Sequence, residues 1–312
     1  MPISSYTNFL NGVTIRNVPI LQTHPGDVYW VDSATGSNAY NGKYNKPFGT
    51  LDYAVGRCTS GKGDIIVIKP GHTETISTAT ALALDVAGIC VIGLGRGTSR
   101  PTFTLDTATT TTIAVSVANV AVINCIFTAN FADIVSVFTL TTAKDFVLKD
   151  CYIKATATNM NFLSVVDTDA TTNNCDGLTI ENCTWLEPDL ATLAMVKMDG
   201  TNDRVRIHCN YVRLGVSNNV ASLMAIATGK VVTSMDVGYN LTYRLNTDTA
   251  TGALLITTDG STNSGFLYNN HSQHADTAAE LIITASSGVG LFDNKSSGVV
   301  GNSGYIIATI DS

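Results

Sequence analysis

One short motif recurs along this chain and limits what it can fold into. An apolar residue is followed two and three positions later by small polar residues or cysteine. The copies read V-I-N-C from Val122, L-K-D-C from Leu148, I-E-N-C from Ile180, I-H-C-N from Ile207, V-G-Y-N from Val237, L-Y-N-N from Leu267 and L-F-D-N from Leu291. A looser copy, V-I-G-L, starts at Val91. The steps between the seven starts are 26, 32, 27, 30, 30 and 24 residues. Such a period marks stacked units, none of which can bury its apolar face alone.

Each copy has two companions. A strand-like run precedes it, at Val135, Leu163, Ala194, Leu223, Leu254 and Leu281. Val137 to Leu148, Val196 to Ile207, Ile226 to Val237 and Ile256 to Leu267 are each 11 residues apart. A constant offset inside a drifting period means one rigid corner and one variable loop per repeat. A third short strand follows, as in Ile126-Phe127, Tyr152-Ile153, Thr184-Trp185, Tyr211-Val212 and Thr242-Tyr243. Three short strands per repeat predict a parallel β-solenoid, with coils ~4.8 Å apart. A propeller blade would need about 40–50 residues. Composition agrees: about one residue in seven is Thr and only four are Glu, so strand and turn formers outweigh helix formers.

The last position of the motif forms a column: Cys125, Cys151, Cys183, Asn210, Asn240, Asn270, Asn294. Either residue type suits the inside of a turn, cysteine as a small apolar group and asparagine by bonding backbone and the next asparagine. The seven cysteines contain no C-x-x-C pair, which argues against zinc. Coil spacing of ~4.8 Å also exceeds the ~3.5–4.5 Å between disulfide Cβ atoms, so reduced thiols are expected.

Three regions are expected: an extended N-terminal arm at 1–28, a lead-in strand, loop and capping helix at 29–63, and the β-helix at 64–312. Leu51, Ala54, Val55 and Cys58 share a helical face, with Thr50 as N-cap and Asp52 at the positive end. Such a helix would blunt the open end of the stack. Tyr305–Ile310 reads as a closing strand. The arm is apolar and nearly uncharged. Its Phe9, Leu10, Ile15, Val18 and Ile20 are the candidate partner-binding residues.

Net charge is −7 with no basic cluster, which disfavours nucleic acid. No apolar run nears the ~18 residues of a membrane span, and no signal peptide is visible. Chemistry-bearing residues are sparse. Asp167 with Asp169, and Asp199 with Asp203, are the carboxylate pairs a glycoside hydrolase would need. Asp199, Asp203, Arg204 and Arg206 are the nearest approach to a lyase set. Asp167–Leu178 fails as a calcium loop, because Thr172 and Leu178 replace the required Gly and Glu. His271 with His274, and His208 beside Cys209, lack further ligands nearby. Gly93-Leu-Gly-Arg-Gly97 lacks the Lys-Ser/Thr of a phosphate loop. Only two Trp, Trp30 and Trp185, offer sugars a platform, with eleven Tyr as substitutes in that role. No catalytic, cofactor or metal residues are assigned from the sequence, and no cofactor is expected.

Val28-Tyr-Trp-Val-Asp-Ser-Ala-Thr-Gly36, the loop through Lys46-Pro-Phe-Gly-Thr-Leu51 and the asparagine column resemble right-handed parallel β-helix proteins of the pectin-lyase-like class. With the short arm, the chain looks most like virion structural proteins of tailed bacteriophages. The resemblance implies an all-β, right-handed parallel β-helix and a non-enzymatic virion component made in a host cytoplasm, a head decoration or cement protein. Its implied partners are the major capsid protein or other virion proteins and sister subunits, a trimer being favoured. The alternative is a tailspike or tail-fibre β-helix that binds or cleaves host polysaccharide.

Overall fold

The computed structural model describes residues 13–15, 18–20, 26–157, 159–187, 194–215, 221–244, 253–257, 262–273, 282–283, 288–297 and 303–305. The chain winds as a right-handed parallel β-helix with three long sheets. The first runs from Val28–Val31 to Gly288–Phe292 in ten strands. The second runs from Thr73–Ile76 to Ser303–Tyr305, also in ten. The third runs from Ala83–Leu84 to Ile282–Ile283 in eight.

The repeated motif sets the register. Val91, Val122, Leu148, Ile180, Ile207, Val237, Leu267 and Leu291 pair in succession along the first sheet. The loops absorb the drift in repeat length, and the strands stay aligned. Strand alternation sends these residues inward, where Phe103, Phe127, Phe138 and Phe146 pack ring against ring at 5.0–5.7 Å. Trp185 is fully buried in this lumen and offers no sugar platform, while Trp30 is half-buried on the outer face against Tyr44.

The corner between first and second sheets is a single left-handed residue. Asn124, Asp150, Asn182, Cys209, Tyr239, Asn269 and Asp293 all have φ between 47° and 59°. The column residue comes next and turns inside. Asn210, Asn240 and Asn270 each donate Nδ2 to the Oδ1 of the following asparagine at 2.9–3.0 Å. Each Nδ2 also reaches a carbonyl of the preceding coil, at Ile180, Ile207 and Val237. The thiols of Cys151 and Cys183 contact the equivalent carbonyls of Val122 and Leu148 more weakly, at 3.8 and 3.6 Å. The ladder starts where cysteine gives way: Cys183 N donates to Asn210 Oδ1 at 2.8 Å. The seven cysteines are free thiols.

The capping helix spans Leu51–Val55, shorter than the apolar spacing through Cys58 suggests, because Gly56 ends it. Leu51, Ala54 and Val55 are buried, and Thr50 Oγ1 accepts from Tyr53 N. The glycine-rich Gly93–Gly97 stretch is a corner, as expected, with a 3₁₀ turn at Gly97–Ser99. At the far end Ser303–Tyr305 pairs antiparallel with Lys295–Ser297, while the rest of the expected closing strand lies outside the described residues.

The N-terminal arm differs from an extended strand. Val13–Ile15 pairs antiparallel with Val18–Ile20, so the segment folds back on itself. Its short strands carry no repeat signal, which hides the turn from a sequence reading. Phe9 and Leu10 lie outside the described residues, as do the side chains of Ile15, Val18 and Ile20.

Candidate functional site

The carboxylate sets picked from the sequence are not brought together as sets. Asp167 sits on the outer face of the third sheet, in register with Lys197 on the next coil. Lys197 Nζ lies 2.6 Å from Asp199 Oδ2 and 3.4 Å from Asp167 Oδ1. Asp169 turns away and accepts from Asn174 Nδ2 at 2.9 Å. Asp203 accepts from Thr233 Oγ1 at 2.8 Å and pairs with Arg204 at 3.5 Å, Arg204 also reaches Asp145, and Arg206 reaches Asp236, so of the lyase set only Asp203 and Arg204 meet. Sequence proximity failed here because the strands end at Thr168 and Met198, and the corners beyond them redirect the chain.

The Asp167–Lys197–Asp199 triad has the two carboxylates of a hydrolase, but its ammonium bridges both. Burial raises the Asp167 carboxyl, Lys197 opposes this, and the Asp199 charge adds to it. Burial pulls Lys197 down, but the Asp199 hydrogen bond and the Asp167 charge outweigh that and hold it above its ordinary value. A lysine held charged in this way is a poor general base at neutral pH. Asp167 has the raised affinity for a proton that a general acid needs.

A second cluster escaped the sequence reading. It lies on the outer face of the first sheet, over the last coils. Arg206, Asp236 and Phe266 share one outward row, and His208, Gly238, Tyr268 and Phe292 share the other. Tyr239, Phe266 and Phe292 are each more than half exposed, at 56, 54 and 57 %. Tyr239 meets Tyr268 edge to face at 5.5 Å, and Phe266 meets Phe292 at 5.6 Å.

Glycine makes this arrangement possible. A Cβ on Gly238 would meet the Tyr268 ring at 2.7–3.1 Å, so that ring lies across the glycine. Gly290 receives Phe266 in the same manner, with a built Cβ 2.7 Å from its ring. A ring lying over a bare backbone turns a face outward instead of an edge. The polar groups then fix Tyr268. Its hydroxyl donates to Asp236 Oδ1 at 2.9 Å and stands 3.3 Å from His208 Nε2. His208 Nε2 is 2.8 Å from the same Asp236 oxygen. Burial, then the hydrogen bond to Asp236 and its charge, push the Tyr268 hydroxyl up to about 12, so it remains a donor.

His208 is therefore part of this cluster and not of a metal site with Cys209. Among the described residues no group of three or more His, Cys, Asp or Glu is placed to hold a metal ion. His271 stands on the second sheet, and His274 lies outside the described residues. A hint was present in the sequence: aromatic residues stand inside the last three copies of the motif, at Tyr239, Tyr268 and Phe292, with Phe266 just before Leu267.

No protein-family model matches the chain. No curated protein matches it either. Among solved structures it is similar to a rhamnogalacturonan lyase, at 13 % identity and a TM-score of 0.49, over 86 % of this chain and 87 % of that one. It is also similar to a GH136 lacto-N-biosidase from Eubacterium ramulus, in selenomethionine and native forms. Those matches have 12 and 11 % identity and TM-scores of 0.34 and 0.35, and cover 88 % of this chain and 68 % of the other. Identities this low say nothing of what this chain binds or cleaves.

Proposed function

We propose that the chain is a polysaccharide-binding β-helix whose sugar platform is the outer face of the first sheet at Tyr239, Phe266, Tyr268 and Phe292. The observation that carries this reading is the pair of rings laid over Gly238 and Gly290 with neighbouring aromatics exposed. A pyranose ring has a face of polarised C–H groups, which suits the negative face of an aromatic ring. Its hydroxyls need donors and acceptors at the rim, the roles of Arg206 and Asp236. Contiguous exposed apolar surface on an otherwise polar exterior marks an interaction site. The reading is of binding without cleavage, because the carboxylate pair on the third sheet is bridged by a charged lysine and faces elsewhere.

Calorimetry against a panel of neutral and acidic polysaccharides tests it. The expected result is binding to at least one, weakened fivefold or more by Phe266→Ala with Phe292→Ala, with no new chain ends released. Failure to bind any polymer, or a change of subunit association in the double variant in place of lost sugar affinity, overturns the reading.

The virion role is the second proposal. It rests on the lead-in segment Val28–Gly36, and it is compatible with a glycan-binding face carried on a particle surface. Copy number in a purified particle tests it: hundreds of copies support head decoration, a handful supports a tail protein, and none overturns both.

A further inference from the structure

The outer face of the first sheet carries an apolar cluster of a different kind at its capped end. Ile65, Val67 and Ile92 form it, with Val28, Trp30 and Ile123 packed around them. They alternate along their strands with Ile66, Ile68 and Val91 of the lumen and so point away from it. Outward side chains on a sheet face ordinarily meet solvent. Val67 is nevertheless 0 % exposed and Ile92 1 %. The described apolar side chains that pack against the cluster stand on or beside the same face. Its cover therefore comes from another part of the chain.

The path of the chain indicates which part. A Cβ on Gly26 would meet the backbone of Gly63 and Asp64 at 2.7–2.8 Å, and Asp27 N donates to Asp64 Oδ1 at 2.6 Å. The segment before Gly26 is thus rooted at the Ile65 edge of the cluster. The hairpin pairs Val13 with Ile20, Thr14 with Pro19 and Ile15 with Val18, so apolar residues make up most of its paired positions. A lone two-stranded hairpin is marginal in water and needs a surface to pack on. The linker, residues 21–25, reaches roughly 17 Å when extended. Four neighbouring strands of the sheet span roughly 14 Å, so the hairpin can reach the whole cluster.

We propose that the segment before Gly26 docks on its own chain, with the Val13–Ile20 hairpin seated on Ile65, Val67 and Ile92. Ile15, Val18 and Ile20 are then spent within the chain and not on a partner. The docked hairpin also shields an apolar face that would otherwise associate with other molecules.

Cys90 is a native reporter, since it stands half-buried against the cluster. Its alkylation rate is followed by peptide mass spectrometry in the full chain and in the full-length Ile15→Glu/Val18→Glu variant. The expected result is labelling at least tenfold faster in the variant, with buried Cys125, Cys151 and Cys183 unlabelled in both as proof of an intact helix. If the double variant also exposes those thiols, the milder Val18→Asn is read in its place, with a threefold increase expected. An unchanged Cys90 rate overturns the proposal. So does protection in the unaltered chain that falls on dilution, because the occupant is then a neighbouring copy.

Discussion

At the residue scale, each inner ladder asparagine serves three coils. Asn240 Oδ1 accepts from both Asn210 N and Nδ2, while Asn240 Nδ2 donates to Ile207 O and Asn270 Oδ1. Asn240→Leu leaves these buried groups without partners and is expected to destabilise by roughly 1–3 kcal/mol. Chemical denaturation measures this, and an unchanged midpoint would place the column in solvent. Asp167 gives a pH-dependent prediction. Its proton is held more tightly in the folded chain than in the unfolded one. The stabilisation this gives is full below the ordinary value of 3.8 and is lost as pH rises through the raised value. Asp199→Asn removes a like charge, so the Asp167 titration followed by carbon-detected NMR should move down.

At the scale of the element, the seven left-handed corners explain most of their own sequence. Asn and Asp tolerate that conformation because their short side chains bond locally, and five of the seven corners carry them. Tyr239 does not fit this rule. A bulky residue at φ 58° costs local energy, and here it holds an exposed ring beside Tyr268. Strain kept at one corner of a regular series fits a binding role. Tyr239→Asn is expected to raise stability by about 1 kcal/mol while weakening polysaccharide binding. A variant that loses stability, or binds as before, separates Tyr239 from the platform.

At the scale of the whole molecule, the stack buries four of its seven thiols, and Cys151 and Cys183 meet on adjacent coils as free thiols. Burial pushes Cys58 and Cys175 up to about 12 and Cys90 up to about 11, while Cys209 stands exposed at its corner. At neutral pH, alkylation should label Cys209 first and the lumen thiols only on unfolding. A mass two hydrogens short per pair under non-reducing conditions would reveal disulfides instead. The exposed aromatics at Tyr239–Phe292 and the buried cluster at Ile65–Ile92 stand at opposite ends of the same outer face.

The sequence by itself determined the winding. A lumen residue meets the same demand on every coil, so Val122 through Leu291, the Cys/Asn column and the 11-residue offset are written as a repeat. The face of the cap helix was legible for the same reason, because burial leaves a local period. Outward residues meet no such demand. Tyr239, Phe266, Tyr268 and Phe292 look unrelated until the register stacks them, and Gly238 and Gly290 look like ordinary glycines until a ring lies across them. Asp167 and Lys197 are 30 residues apart and become neighbours only through strand pairing. Tertiary structure alone decided which outward side chains meet, because variable loops fix which coil each one occupies while leaving the inward pattern unchanged.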